Sequence, residues 1–514
     1  MKHKKILCLA LAAVMAVSVG CLAACGGGPA AKVPVPKQDM VLPTWDDNAQ
    51  HSTLVNDSNI KVHDPSIFQD PEDGTYYAFG THFAVASSPD LLKWEQKASD
   101  GEWTKLYGTS HGTSSTGWWS VLSQAHAHAG GTMASTWAPD VNYYEGKYYM
   151  YVSVTAAFGS SRSAICRVEA DSVMGPYSNE VLIVTSDGSG KSNAIDPELF
   201  YDKDGGLWMV YGSTYGGIFI KELYNSGENW GLPKEEGIGK NIWGNGNNVE
   251  GPFIFYSAET DYYYLMTSYG ALMYSYNMRL ARSKNPNGPY EDITGTDVAT
   301  INGGGAGGNK VAGSFKFASQ NGEGWAAIGH NSVIKDELGR YFVVAHARRQ
   351  GTFKKDTEED AGVTPAHRLM VYQLYFNEDS WPVMSPTPYV GESAGLISQD
   401  RAAGEFDVVI HSQGITARPV DSVKYTLASD GTITSGGNTV GSWTVTKNYF
   451  VTINIDHITE VDGEEVNVPY VYKGVIVPGW NIYAKDNVQD GVIAITAVAN
   501  VGNQGGSLWA ISIR

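Results

Sequence analysis

Asp64, Asp196, Glu250 and His330 each head one of five similar tetrapeptides, and carboxylates grouped with a histidine are the side chains that acid and base chemistry uses. The five are Asp64-Pro65-Ser66-Ile67, Ala138-Pro139-Asp140-Val141, Asp196-Pro197-Glu198-Leu199, Glu250-Gly251-Pro252-Phe253 and His330-Asn331-Ser332-Val333. Brought together, three carboxyls repel one another, and burial raises their pKa. That cost makes a purely structural ring of acids unfavourable. The same cost serves hydrolysis of a glycosidic bond, which needs one carboxyl kept protonated and another kept ionised. Residues two further along a strand face the same side, so Ser66, Asp140 and Glu198 are secondary candidates for that face.

The elements that must hold these residues are short strands. Six to eight residues after each tetrapeptide comes an apolar run: Tyr76-Tyr77-Ala78-Phe79, Tyr148-Tyr149-Met150-Tyr151, Leu207-Trp208-Met209-Val210, Tyr262-Tyr263-Tyr264-Leu265 and Tyr341-Phe342-Val343-Val344. Successive tetrapeptides lie 74, 58, 54 and 80 residues apart, room for one four-stranded blade per repeat. The chain is therefore expected to be all-β, a five-bladed β-propeller over residues 51–392 whose axis gathers the first residues of the repeats. The two long intervals imply inserted loops, Ser99 to Ser135 and Gly303 to Gly324. At 514 residues a second folded unit is expected. Strand signals at Ser422 to Leu427, Gly441 to Thr446, Tyr449 to Asn454 and Val492 to Ala497 predict a smaller β-barrel or sandwich over 400–514.

Lys2, Lys4 and Lys5 precede an apolar stretch from Ile6 to Val19, too short for a comfortable membrane span, which reads as an export signal. Leu22-Ala23-Ala24-Cys25 resembles a bacterial lipobox, so 1–24 is expected to be a lipoprotein signal peptide and Cys25 the lipidated residue. Gly, Pro and Ala after it predict a flexible tether over 25–50. The protein is thus expected to be exported and lipid-anchored to the cell envelope, touching membrane only through that anchor. Its formal charge of −18 argues against nucleic acid as a partner. Once the signal is removed and Cys25 acylated, Cys166 is left alone, and no intrachain disulfide is expected.

The runs Val62-His63-Asp64-Pro65-Ser66-Ile67, Trp137-Ala138-Pro139-Asp140-Val141, Ile195-Asp196-Pro197-Glu198-Leu199-Phe200, Val249-Glu250-Gly251-Pro252 and Gly329-His330-Asn331-Ser332-Val333 together resemble glycoside hydrolase family 43. Within it they look most like the larger, two-domain endo-α-1,5-L-arabinanases. The resemblance implies an inverting hydrolase acting on internal linkages of arabinan, with Asp64 as general base, Glu250 as general acid and Asp196 tuning and holding Glu250. An inverting enzyme would separate base and acid by roughly 6.5 to 9.5 Å. The resemblance also implies one axial divalent ion, calcium, held through His330 and waters, although calcium prefers oxygen ligands. His126 and His128 are expected to be exposed rather than ligands.

Trp137, Tyr215 and Phe83, with Asp140, are the residues expected to contact sugar, and Trp118-Trp119 to cap the channel. Tyr149 and Tyr263 are expected to pack between blades. A monomer is expected. Two other readings stay open: an exo-acting α-L-arabinofuranosidase or β-xylosidase on the same fold, and a non-catalytic glycan-binding lipoprotein. Three registered acids weigh against the last, since a neutral sugar can be bound without them.

Overall fold

The computed structural model describes residues 33–44, 52–54, 60–245, 249–303, 307–320, 324–349, 367–416, 418–461, 464–467, 469–481, 491–499 and 506–513. The signal peptide, Cys25 and part of the tether lie outside them.

Five antiparallel sheets form a ring. Their innermost strands are Ser66–Gln69, Ser135–Tyr144, Glu198–Tyr201, Glu250–Ser257 and Gly324–Lys335. The first four sheets run in simple sequence order, four strands each, ending at Ala98, Asp187, Trp243 and Ala312. The apolar runs foreseen in the sequence are the second strands, each paired antiparallel to its innermost strand. Innermost strands of adjacent sheets touch, and the fifth touches the first, which closes a five-bladed propeller.

Strand alternation explains how so short a motif builds a ring. Successive side chains point to opposite faces, so each blade feeds two interfaces. Leu199 and Met209 pack toward the second blade, while their neighbours Phe200 and Val210 pack toward the fourth. Phe342 and Val344 close the fifth blade on the first, and Tyr341 and Val343 face the fourth. Tyr263 is buried in one such interface, and Tyr149 packs against another.

The C-terminal unit resolves the barrel-or-sandwich alternative: eight strands from Gly404–His411 to Ser507–Ser512 form a closed barrel, the last pairing with the first. Barrel residues Trp509, Val475 and Val492 share one apolar core with Phe253, Val343 and Met384 of the propeller. Strand Val420–Asp421 leaves the barrel to pair in parallel with Phe315–Lys316 of the fifth blade. The tether expected over 25–50 differs in its described part. Met40 donates its N–H to Leu396 O at 2.8 Å and lies in the barrel core, so 33–44 is docked rather than free.

The insert from Ser99 to Ser135 is also packed down. Trp103 and Trp118 are buried in the core between the first and second blades. Trp119 stacks on His126 with centroids 4.2 Å apart, and His128 meets Ser186 O at 3.0 Å. Both histidines are half-buried rather than exposed, and among the described residues neither is grouped with two or more other metal-ligating side chains.

Candidate active site

The first residue of the repeat is set by the backbone. Asp64, Ala138, Asp196 and His330 have φ of 54°, 23°, 58° and 45°, in or near the left-handed region that side chains avoid. In the fourth blade the matching residue is Gly251, at φ 55°, followed by Pro252 as Pro65, Pro139 and Pro197 follow theirs. Glu250 therefore does not occupy the repeat position that the sequence alignment assigns to it. It sits one residue earlier, level with His63, Trp137 and Ile195, all of which line the same cleft. Strand irregularities between Trp137 and Asp140, Glu250 and Phe253, and Gly329 and Ser332 mark this turn in three blades. Glycine suits this position on two counts: the left-handed φ carries no Cβ strain, and a Cβ there would lie 3.1 Å from ring atoms of His330.

Asp64, Asp196, Glu250 and His330 converge on one cleft of about 610 Å³. Asp64 Oδ1 lies 3.1 Å from His63 Nε2 and 3.0 Å from His330 Nδ1, and Oδ2 accepts a 2.6 Å hydrogen bond from Thr81 Oγ1. Burial would raise this carboxyl, but the charges of His330 and His63 and the hydrogen bond from His330 hold it well below the usual carboxylate range. Glu250 accepts from Tyr276 OH at 2.7 Å and Ser213 Oγ at 3.0 Å. Its pKa is nevertheless raised, chiefly by burial, with the Asp64 charge adding to it. Asp196 is raised by burial and by the charges of Glu250 and Asp64, and its Oδ2 accepts from Gly251 N at 3.1 Å, beside Glu250. One acid is thus shifted toward the ionised form and another toward the protonated form across a single cleft.

Ala138, the repeat position without a functional side chain, still takes part. Its N–H donates to Thr81 Oγ1 at 2.9 Å, which aims the threonine hydroxyl at Asp64. Thr81, Tyr276, Ser213 and the histidines His63, His346 and His367 were not singled out by sequence; of these, His63 directly precedes a repeat position. His346 Nδ1 accepts from Asp64 N at 3.1 Å. Ring nitrogens of His63, His346 and His367 lie within 4.8 Å of one another. A neutral imidazole has one acceptor nitrogen, and that of His367 already accepts from Arg348 Nε at 2.9 Å while that of His346 is taken by Asp64. Two of the three rings are therefore committed to hydrogen bonds rather than to a metal.

His330 fits the ion better. It borders both the cleft and a narrow axial cavity below it, which Asp64, Ser66, Asp196, Glu198 and Asn331 also line. Asn331 Oδ1 is buried there with no hydrogen-bond partner among the described residues, an oxygen suited to a hard cation.

Of the residues expected to contact sugar, Trp137 and Tyr215 line the cleft. Phe158, missed by sequence, stands beside Trp137 with centroids 6.2 Å apart and is 85 % exposed. Phe83 does not reach the cleft. It is buried edge-on against Tyr107 at 5.5 Å, in the core that also takes Trp118, because the left-handed turn at His82 and Phe83 directs it inward. Asp140 is likewise displaced: the strand irregularity after Trp137 sends it below the acids, not into the cleft. There it accepts from Ser66 Oγ at 2.9 Å, Asn142 Nδ2 at 2.6 Å and Leu199 N at 3.0 Å, pinning three blades near the axis. Burial lifts its pKa to about 6.

The comparisons with known proteins agree with this geometry. The model for glycosyl hydrolases family 43 matches residues 58–382, and that for a C-terminal lipocalin-like domain matches 386–510. An extracellular endo-alpha-(1->5)-L-arabinanase of Thermotoga petrophila is 37% identical over 485 residues, covering 88% of this chain and 94% of that protein. Extracellular endo-alpha-(1->5)-L-arabinanase 2 of Bacillus subtilis is 34% identical, covering 84% and 89%. A crystal structure of endo-1,5-alpha-L-arabinanase from Thermotoga petrophila superposes with a TM-score of 0.75 at 35% identity, covering 88% of this chain and 99% of that one. With a propeller, two acids of opposite pKa shift in one cleft, and a family match across that whole propeller, the chain belongs to glycosyl hydrolases family 43 and is a glycoside hydrolase.

Proposed function

We propose that this hydrolase cleaves internal α-1,5-L-arabinofuranosidic linkages of arabinan with inversion. The observation that carries the reading is the opposite tuning of two acids in one cleft: the pKa of Asp64 is held down and that of Glu250 is raised. Asp64 takes a proton from water as that water attacks the anomeric carbon. Glu250 gives its proton to the departing glycosidic oxygen. Asp196, hydrogen-bonded to the residue after Glu250, holds the acid in place, while the Asp64 charge opposes ionisation of Glu250. Trp137 and Phe158 offer apolar faces to the furanose rings at the cleft wall. The naming of two relatives covered over most of their length as endo-arabinanases supports the substrate.

His330 and Asn331 would hold one divalent ion, calcium by the oxygen character of the axial cavity, and such an ion would supply positive charge beneath Asp64. Relatives named extracellular support export, and Cys25 as lipid attachment is part of the same proposal. Replacing Cys25 with Ala would then release the protein from the membrane fraction.

Debranched arabinan incubated with the protein lacking residues 1–25 tests the function. Short oligosaccharides should appear first, with the freshly released anomer inverted by proton NMR. Arabinose as the sole early product would overturn the internal cleavage, and a retained anomer the inversion.

A further inference from the structure

His346 lies on the second strand of the fifth blade, Tyr341–Arg349, opposite Gly329 of the innermost strand. Its Nδ1 accepts the main-chain N–H of Asp64 at 3.1 Å, the residue whose φ of 54° needs an external hold. Its ring lies nearly parallel to that of Tyr276, at 7° with centroids 5.6 Å apart. Tyr276 in turn donates to Glu250 Oε1 at 2.7 Å. The approach of Tyr276 depends on Gly329, since a Cβ there would come within 2.4 Å of the tyrosine ring. A single imidazole therefore touches the main chain that carries Asp64 and the side chain that holds Glu250.

This arrangement is not what packing alone would select. His346 is fully buried, and with Nδ1 accepting, Nε2 carries the proton yet finds no hydrogen-bond partner among the described residues. An unpaired buried donor costs free energy that an apolar ring of similar shape would avoid. Such residues persist where function retains them.

We propose that His346 is a positioning residue that fixes the base and the acid relative to each other. The proposal rests on the reading of Asp64 as base and Glu250 as acid. Asp64 must direct its carboxylate at a water while Glu250 meets the leaving oxygen, and displacement by about 1 Å costs roughly 100-fold in rate. Loss of the acceptor at Nδ1 frees the Asp64 turn. Loss of the ring frees Tyr276.

Steady-state kinetics on arabinan, with thermal unfolding in parallel, test this on His346→Phe, His346→Asn and Asp64→Asn. Phenylalanine keeps the ring against Tyr276 but removes both nitrogens; asparagine restores an acceptor near Nδ1. His346→Phe should lower kcat roughly 100-fold with KM changed no more than about twofold, and with a Tm close to that of the parent, since an unpaired Nε2–H is exchanged for an unpaired Asp64 N–H. His346→Asn should recover at least about tenfold of the lost kcat. A His346→Phe kcat within about threefold of the parent would overturn the proposal. So would a loss that tracks a lowered Tm and is not recovered in His346→Asn, since that is the behaviour of a merely structural residue. Near-parental turnover in Asp64→Asn would instead overturn the base assignment, whatever the His346 variants do.

Discussion

Tyr276 donates to Glu250 Oε1 and so favours the ionised carboxyl, against burial, which favours the proton. Activity needs the protonated acid, so it should decline on the alkaline side as Glu250 loses its proton. Removing the donor in Tyr276→Phe raises the Glu250 pKa further, and the alkaline limb of kcat/KM should move to higher pH. Rate against pH for the two proteins checks the sign. Thr81 works on the other acid: Thr81→Val removes the donor to Asp64 Oδ2 and the acceptor for Ala138 N, and kcat should decrease by roughly 10- to 100-fold without loss of fold by circular dichroism. Asp64, Asp196, Glu250 and His330 were legible because each begins a repeated motif. Tyr276, Thr81 and His346 were not, because their roles come from contacts across blades that no spacing records. Phe83 and Asp140 misled for a related reason: local backbone turns at His82 and after Trp137 decide which way they face.

Within a blade, the informative element is the turn that enters the innermost strand. Its left-handed first residue and following proline recur, and the period of the strands was visible in the apolar runs. What the runs could not fix was the register of the fourth turn, since Glu250 and Gly251 both fit a tetrapeptide pattern until φ distinguishes them. That one-residue offset brings Glu250 in from the cleft wall, at the level of Trp137 in its own blade, while Asp64 and Asp196 enter from the axial position. Gly251→Ala tests the turn directly. A left-handed alanine costs about 1–2 kcal/mol, and its Cβ would press on the His330 ring. The variant should unfold at lower temperature in calorimetry and lose turnover as Glu250 and His330 shift. Unchanged stability and rate would show that the turn tolerates a side chain.

Across the whole molecule, the barrel and propeller are joined by a common core as well as by an exchanged strand. Trp509 is fully buried in that core, so Trp509→Ala should cost about 3–5 kcal/mol, and denaturant unfolding followed by fluorescence and by activity should shift together. The two-unit division was readable from length and from the strand signals between Ser422 and Ala497. The docking of 33–44 onto the barrel was not, because a Pro- and Val-rich stretch has the composition of a tether and acquires its place only from partners such as Leu396. The propeller sets Glu250, its pKa raised, in the same cleft as Asp64, its pKa lowered, and the proposed division of labour between them is open to one direct measurement. Glu250→Gln can be assayed on arabinan and on an arabino-oligosaccharide carrying a dinitrophenyl leaving group, which departs without a proton. The rate on arabinan should fall by roughly 100-fold or more, while the dinitrophenyl substrate should be cleaved at close to the parental rate. An equal loss on both substrates would contradict the assignment of Glu250 as the proton donor.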